Sequence, residues 1–219
     1  MKIETKKSFC VAAIMFIAFI LWTVLLRFVD VKPIGPNESY VGFATINNCF
    51  HKLTGVNLTL YTITDWLSLV PVFICLGFGV IGIIQWIERK SIFKIDYNIL
   101  VLGFFYIAVM ATYLFFEKCV INYRPVLIND YLEASYPSST TLLVLCVMPT
   151  AIMQFNASIK NVVIKRCVII TITVFVAFMV IGRIISGVHW ISDIIGGALL
   201  SAGFVMMYKF IISLKIKNR

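Results

Sequence analysis

Six stretches of the chain carry no charged residue and are almost wholly apolar: residues 8–26, 66–87, 97–116, 140–155, 167–182 and 194–208. About 20 helical residues cross the hydrocarbon core of a bilayer, so each stretch is predicted to be a membrane span. The last two are short. Lys165, Arg166 and Lys209 flank them, and their aliphatic stems let a helix extend while the charge stays in water. The first run follows Lys2, Lys6 and Lys7, like the start of a signal peptide. It is too long for the apolar region of such a peptide, and no small-x-small cleavage site follows, so it is expected to remain as a span. The predicted fold class is all-α: an integral six-helix membrane bundle, read as a single membrane domain over 1–219 with no internal repeat.

The pattern breaks between the first two spans. Pro33, Gly35 and Pro36 interrupt the segment 30–65 early. Within it, residues 41–53 (V-G-F-A-T-I-N-N-C-F-H-K-L) mix apolar and polar positions, predicting a short amphipathic helix in the membrane interface. Gly77, Gly79 and Gly82 in the second span, and Gly196, Gly197 and Ser201 in the sixth, are expected to let helices approach closely. Trp66, Trp86 and Trp190 read as interface anchors.

Composition supports this picture. The chain is 61% hydrophobic and 13% charged, with a mean hydropathy of +0.98; about a quarter of a soluble domain is charged. The net charge of +9 is distributed unevenly. One side of the six-span layout holds Lys2, Lys6, Lys7, Arg89, Lys90, Lys94, Lys160, Lys165, Arg166, Lys209, Lys215, Lys217 and Arg219; the other holds Arg27, Lys32, Lys52, Lys118, Arg124 and Arg183. The bias predicts cytoplasmic termini in a cell membrane, with the loops after spans three and five facing outward. No basic patch interleaved with aromatics lies outside the apolar runs, so nucleic acid is excluded as a partner. The six cysteines form no C-x-x-C pair, which points away from a metal or redox site. Cys49 and Cys119 fall on the same side, where pairing is open to them but not demanded.

The loops carry the candidate chemistry. Residues 182–193 read G-R-I-I-S-G-V-H-W-I-S-D. His189 and Asp193 are four apart and would share a helix face. There a carboxylate can hold one imidazole nitrogen and leave the other as a nucleophile. Arg183 adds a planar fork suited to phosphate, and ionisable groups at membrane depth are usually functional. Two other segments face the same way: 118–125 (K-C-V-I-N-Y-R-P) and 136–141 (Y-P-S-S-T-T). Arg124 is a second guanidinium. Ser138, Ser139 and Thr140 open a helix whose N–H groups and hydroxyls can meet an anion. Alone, Arg124-Pro125 is an ordinary helix end and 137–141 an ordinary capped helix start. Together the three segments spell phosphoryl transfer through a phosphohistidine, with His189 and Asp193 catalytic and Arg124, Arg183, Lys118, Ser138, Ser139 and Thr140 holding phosphate.

These motifs resemble the type 2 phosphatidic acid phosphatase family, the lipid phosphate phosphatases, which carry K-x6-R-P, P-S-G-H and S-R-x5-H-x3-D. The likeness spans Lys118 to Asp193 by motif, within a motif-bearing core of 97–212. It implies a metal- and cofactor-independent hydrolase of membrane lipid phosphates or pyrophosphates. It also implies that Arg124 and Arg183 bind phosphate, that Pro137 and Ser138 position backbone donors, that His189 attacks, and that Asp193 orients it. Three positions depart from the pattern. Lys118 is one residue too close to Arg124, and Glu117 has the family spacing; one residue turns a helical side chain by about 100°. Gly182 stands where the family has Ser. Thr140 stands where the family has the histidine that, by resemblance, protonates the leaving group.

General acid catalysis contributes about 10²–10⁴-fold, or roughly 3–5 kcal/mol of barrier. An alkoxide leaving a monoester needs that proton far more than a phosphate leaving a pyrophosphate. The Thr140 departure therefore predicts a preference for lipid pyrophosphates, such as the polyprenyl carrier undecaprenyl pyrophosphate, unless His51, Glu117 or Glu133 supplies the acid. Two further readings are open. One is a phosphotransferase handing the phosphoryl group to a second lipid or sugar. The other is a catalytically degenerate scaffold that binds lipid phosphate without turnover.

Overall fold

The computed structural model describes residues 2–217. Eight α-helices follow in order: α1 (Lys2–Phe28), α2 (Ala44–Thr54), α3 (Leu58–Leu67), α4 (Leu69–Arg89), α5 (Tyr97–Lys118), α6 (Ser139–Ser158), α7 (Val162–Ile185) and α8 (Ile191–Lys217). Among the described residues there is no strand, only isolated bridges such as Tyr123 to Ala134. Six segments are long and apolar enough to cross a membrane: α1, α3 with α4, α5, α6, α7 and α8. The chain is an all-α membrane bundle of six spans. Arg219, one of the cations counted above, lies outside the described residues.

Packing divides the spans into a centre and a wrapping. α8 runs beside α1, α6 and α5, and its start also meets α2. α6 is the most enclosed span, while α1, α4, α5 and α7 direct Ile, Leu, Val and Phe side chains outward, as a lipid-facing surface requires. Gly196 and Gly197 let α8 approach the loop before α6 and its first turn: a Cβ at Gly196 would strike the Tyr136 ring, and one at Gly197 would lie 3.2 Å from the Ser138 carbonyl oxygen. Gly77 and Gly79 face open space, so the expected close approach along α4 is not made there.

Several boundaries differ from the hydropathy reading. The fifth and sixth spans are longer than expected because their charged ends remain helical: Lys165 and Arg166 sit in the first turns of α7, and Lys209 lies within α8. The second span begins eight residues early, at Leu58, with Asn57 capping α3 by accepting from the Leu60 amide at 2.9 Å. Asp65 thus lies inside a helix rather than ending an external loop. The short helix expected over 41–53 forms as α2, from Ala44 to Thr54, and Asn47 locks it onto α8, donating to Ser192 Oγ at 2.9 Å and accepting from the Ser192 amide at 3.1 Å. Cys49 and Cys119 are both free.

The turn between α7 and α8 depends on Gly187. Its φ is +64°, and a Cβ there would collide with the Gly55 carbonyl. Gly187→Ala should lower the melting temperature in detergent by several degrees, as expected for about 1–3 kcal/mol of backbone strain and steric conflict. Thermal unfolding followed by intrinsic fluorescence checks this; an unchanged transition would mean the turn relaxes freely.

Candidate active site

The ends of α3, α5, α6, α7 and α8 that meet at one end of the bundle carry the polar residues of interest. Arg183, in the last turn of α7, is buried, with only 1% exposure. Its Nη2 donates to Asp65 Oδ1 at 2.9 Å and to Thr140 Oγ1, and its guanidinium lies 4.9 Å from the centre of the Tyr61 ring. Arg124, in the loop between α5 and α6, places its guanidinium 5.5 Å from the same ring. Arg124 Nε is 3.1 Å from Glu133 Oε2, close enough for an ion pair but not aligned as a hydrogen bond. Nε and Nη1 of both arginines are buried and have no hydrogen-bond partner among the described residues. Buried donors of this kind are normally satisfied. A tetrahedral oxyanion between the two forks would satisfy them.

His189 lies in the turn ahead of α8, and Asp193 in the helix's first turn. The two do not bond directly, as a shared helix face would require, because His189 is not helical. Ser135 joins them: its Oγ is 3.0 Å from His189 Nδ1 and donates to Asp193 Oδ2 at 2.6 Å. A hydroxyl has one proton. Having given it to an acceptor-only carboxylate, Ser135 must accept from Nδ1–H. The tautomer is thereby assigned, and Nε2 carries the lone pair. Nε2 is buried with no partner among the described residues. Asp193, fully buried, also accepts from the Trp190 amide at 3.1 Å and from Asn122 Nδ2 at 3.2 Å. Burial above all, then the charges of Arg124 and Arg183, hold His189 well below its ordinary 6.5, with a Ser135 backbone contact pulling the other way. The ring is neutral at pH 7.

His189, Arg124, Ser135, Ser139, Glu117, Glu133 and Asp65 line one cavity of about 340 Å³. A second cavity of about 220 Å³ adjoins it, walled by Val109, Met110, Leu142 and Leu143 and by Thr140. Asp65, Tyr113, Ser139 and Leu142 line both. A polar pocket thus passes into an apolar groove between α5 and α6. No side chain caps the start of α6, so its first N–H groups are open donors beside Arg183.

Not every expected residue arrives. Lys118 is exposed at the end of α5 and does not line the cavity, whereas Glu117 does; the one-residue offset turns the ammonium away. Ser138 is fully buried: its amide donates to the Asp193 carbonyl at 3.1 Å, and its Oγ accepts from Thr141 at 3.0 Å. It joins α6 to α8 rather than facing an anion. Thr140 turns toward Arg183, and Ser139 toward the cavity. His51 does not line the main cavity; it sits tilted at 57° to the Trp190 ring, 5.5 Å away, shares only a small cavity of about 10 Å³ with His189, and burial lowers its proton affinity. Trp190 is buried, donating to the Tyr123 carbonyl at 2.7 Å, so it is no interface anchor; Trp66 and Trp86 are exposed. Tyr61, Asp65, Asn122 and Ser135 were missed. Only Asp65 carried a signal, an acidic residue beside an apolar run.

Orthophosphate should raise the melting temperature of the protein in detergent, because it binds the folded state alone. Arg183→Gln should shrink that increment by at least half. An increment equal in both proteins would place the anion elsewhere.

Comparison with known proteins accords with this geometry. No curated protein matches the chain in sequence. A transmembrane PAP2 type phosphatidylglycerolphosphate phosphatase from Bacillus subtilis shares the fold with a TM-score of 0.65 and 16% identity. The match covers 95% of this chain and 98% of that one. The family model described as the PAP2 superfamily matches residues 98–215, which is more than half of the sequence and includes every motif residue from Lys118 to Asp193. The chain belongs to the PAP2 superfamily.

Proposed function

We propose that this protein is a lipid phosphatase whose preferred substrates are lipid pyrophosphates, hydrolysed through a phosphohistidine at His189. The observation that carries this is a cavity lined by Arg124 and His189, with Arg183 held directly behind its Asp65 wall, both guanidiniums and the imidazole keeping buried nitrogens without a partner among the described residues, and an apolar groove alongside. The pocket suits a phosphoryl group and the groove an acyl or prenyl chain. Family membership and the fold shared with a membrane phosphatase support the same reaction class.

The terminal phosphoryl group binds between Arg124, Arg183 and the open N–H groups of α6. The Nε2 lone pair attacks phosphorus, the P–O bond to the leaving group breaks, and charge builds on oxygens already facing guanidinium donors. The Nδ1 proton stays on the imidazole, held by Ser135, while Asp193 balances the cation that forms. Water then attacks the phosphohistidine and frees phosphate. Thr140 offers no acid to a departing alkoxide, which is why a weakly basic phosphate leaving group is preferred. No step calls on a metal. The charge bias of the loops supports a cell membrane with both termini cytoplasmic and the pocket on the outer side.

Turnover of a polyprenyl pyrophosphate should exceed that of phosphatidic acid by about 10²-fold or more, the scale of a missing general acid, and His189→Ala should release no phosphate from either. Preference for the monoester would defeat the substrate assignment; release by His189→Ala would defeat the nucleophile. The transfer of label to a second lipid or sugar, with no free phosphate, would make the protein a phosphotransferase.

The pH profile offers a second check. A nucleophile whose proton affinity is lowered in the fold is active above its folded value and is lost only as pH falls through it. The acid limb of kcat/KM should therefore lie well below 6.5. Arg124→Gln removes one of the charges responsible, so its limb should move upward even though its rate is lower. A wild-type limb at 6.5 would mean the imidazole titrates as if in water.

A further inference from the structure

Asp65 has no counterpart in the motifs that led to the site, yet it occupies a particular place in it. Its Oδ1 and Thr140 Oγ1 bond the same Arg183 nitrogen, so the carboxylate stands beside the residue at the start of α6. Its other oxygen accepts no hydrogen bond from any described residue, and the side chain is about half exposed, at 55%. Asp65 lines both the polar cavity and the apolar groove. Of the other two carboxylates in the cavity, Glu133 faces Arg124 and Glu117 ends α5, and neither lines the groove.

That junction has a chemical meaning. With phosphoryl oxygens in the polar cavity and a hydrocarbon chain in the groove, the scissile bond lies where the two meet. In-line displacement at phosphorus puts the departing oxygen opposite His189 Nε2. The water of the second step must attack from the direction in which the leaving group left, and that position is next to Asp65. Asp65 faces the Arg183 guanidinium as a carboxylate, a group that accepts protons and does not donate them.

We infer that Asp65 is the general base of dephosphorylation, an inference that rests on the phosphohistidine reading above. The carboxylate takes a proton from water as the water oxygen bonds to phosphorus. The P–Nε2 bond breaks, and its electron pair returns to the imidazole, which keeps its Nδ1 proton. Phosphate departs, and Asp65 gives the proton to solvent through its exposed face. Atoms and charge balance without a co-reactant, and the first step needs no proton from Asp65.

The test uses full-length protein in detergent and a polyprenyl pyrophosphate carrying radiolabel in its terminal phosphate, with rapid quenching. Asp65→Asn should reduce steady-state release by about 10²–10⁴-fold yet still form the phosphoenzyme. Base-stable, acid-labile label should therefore accumulate towards one phosphoryl group per chain and be absent from His189→Ala. Asp65→Ala should behave alike and recover release on addition of formate. Asp65→Asn releasing phosphate within threefold of the wild type would overturn the inference. So would a slow Asp65→Asn that forms no label, since Asp65 would then only position Arg183. The underlying reading is judged on other arms: wild type that releases no phosphate, or His189→Ala that releases it normally, removes the phosphohistidine and the role of Asp65 together.

Discussion

Two positive charges facing one tyrosine ring set the terms for this end of the bundle. Arg124 and Arg183 lie within 5.5 Å and 4.9 Å of the Tyr61 centroid, largely withdrawn from water. An unpaired buried charge costs several kcal/mol, and two like charges add repulsion. Asp65, Glu133 and the Tyr61 quadrupole offset part of this, but each guanidinium keeps buried donors that no described residue meets. An arrangement made only for stability would pair them or replace them with apolar side chains. One that must receive a multiply charged oxyanion leaves them as they are.

The imidazole is held by different means. Asp193 accepts from Ser135, Asn122 and the Trp190 amide, so its carboxylate is anchored from three parts of the chain. It acts on His189 through the Ser135 hydroxyl, which fixes the ring's tautomer as a direct bond would. The same turn is fastened by Asn47 to Ser192 and by Trp22 Nε1 to the Ser192 carbonyl at 3.0 Å. α2 and the first span thus bear on the placement of the imidazole.

Much of this was legible in the sequence, and the limits have physical causes. Charge-free runs gave away the six spans because lipid tolerates little else; they misjudged helix ends, where lysine and arginine stems reach water and hydropathy falls before the helix does. R-x5-H-x3-D and R-P name four residues, of which Arg124 and His189 line one cavity while Arg183 and Asp193 bond residues that line it. Ser135 was not legible, since a serine two residues before a proline looks like any loop residue until the fold sets it between His189 and Asp193. Lys118 was placed by chemistry against its own spacing, and the spacing decided. Asp65 sits one residue ahead of the charge-free run that begins at Trp66, so hydropathy puts it in a loop, although the helix already runs from Leu58 and a carboxylate at that depth is a functional signal.

Two departures from the family pattern, Gly182 and Thr140, are connected through Asp65. A Cβ at Gly182 would come within 2.8 Å of Thr64 Cγ2, so its absence lets α3 lie against α7. That contact brings the next residue along, Asp65, to Arg183. Asp65 in turn shares an arginine nitrogen with Thr140, a side chain far smaller than the imidazole that the family pattern has there. An imidazole at 140 would compete with the carboxylate for the same guanidinium and the same space, and a serine at 182 would hold α3 away. The glycine, the threonine and the aspartate therefore act as one substitution spread over three helices. On the mechanism proposed above, it would exchange a group able to give a proton for one able to take it, and would move the site's preference towards leaving groups that depart unaided.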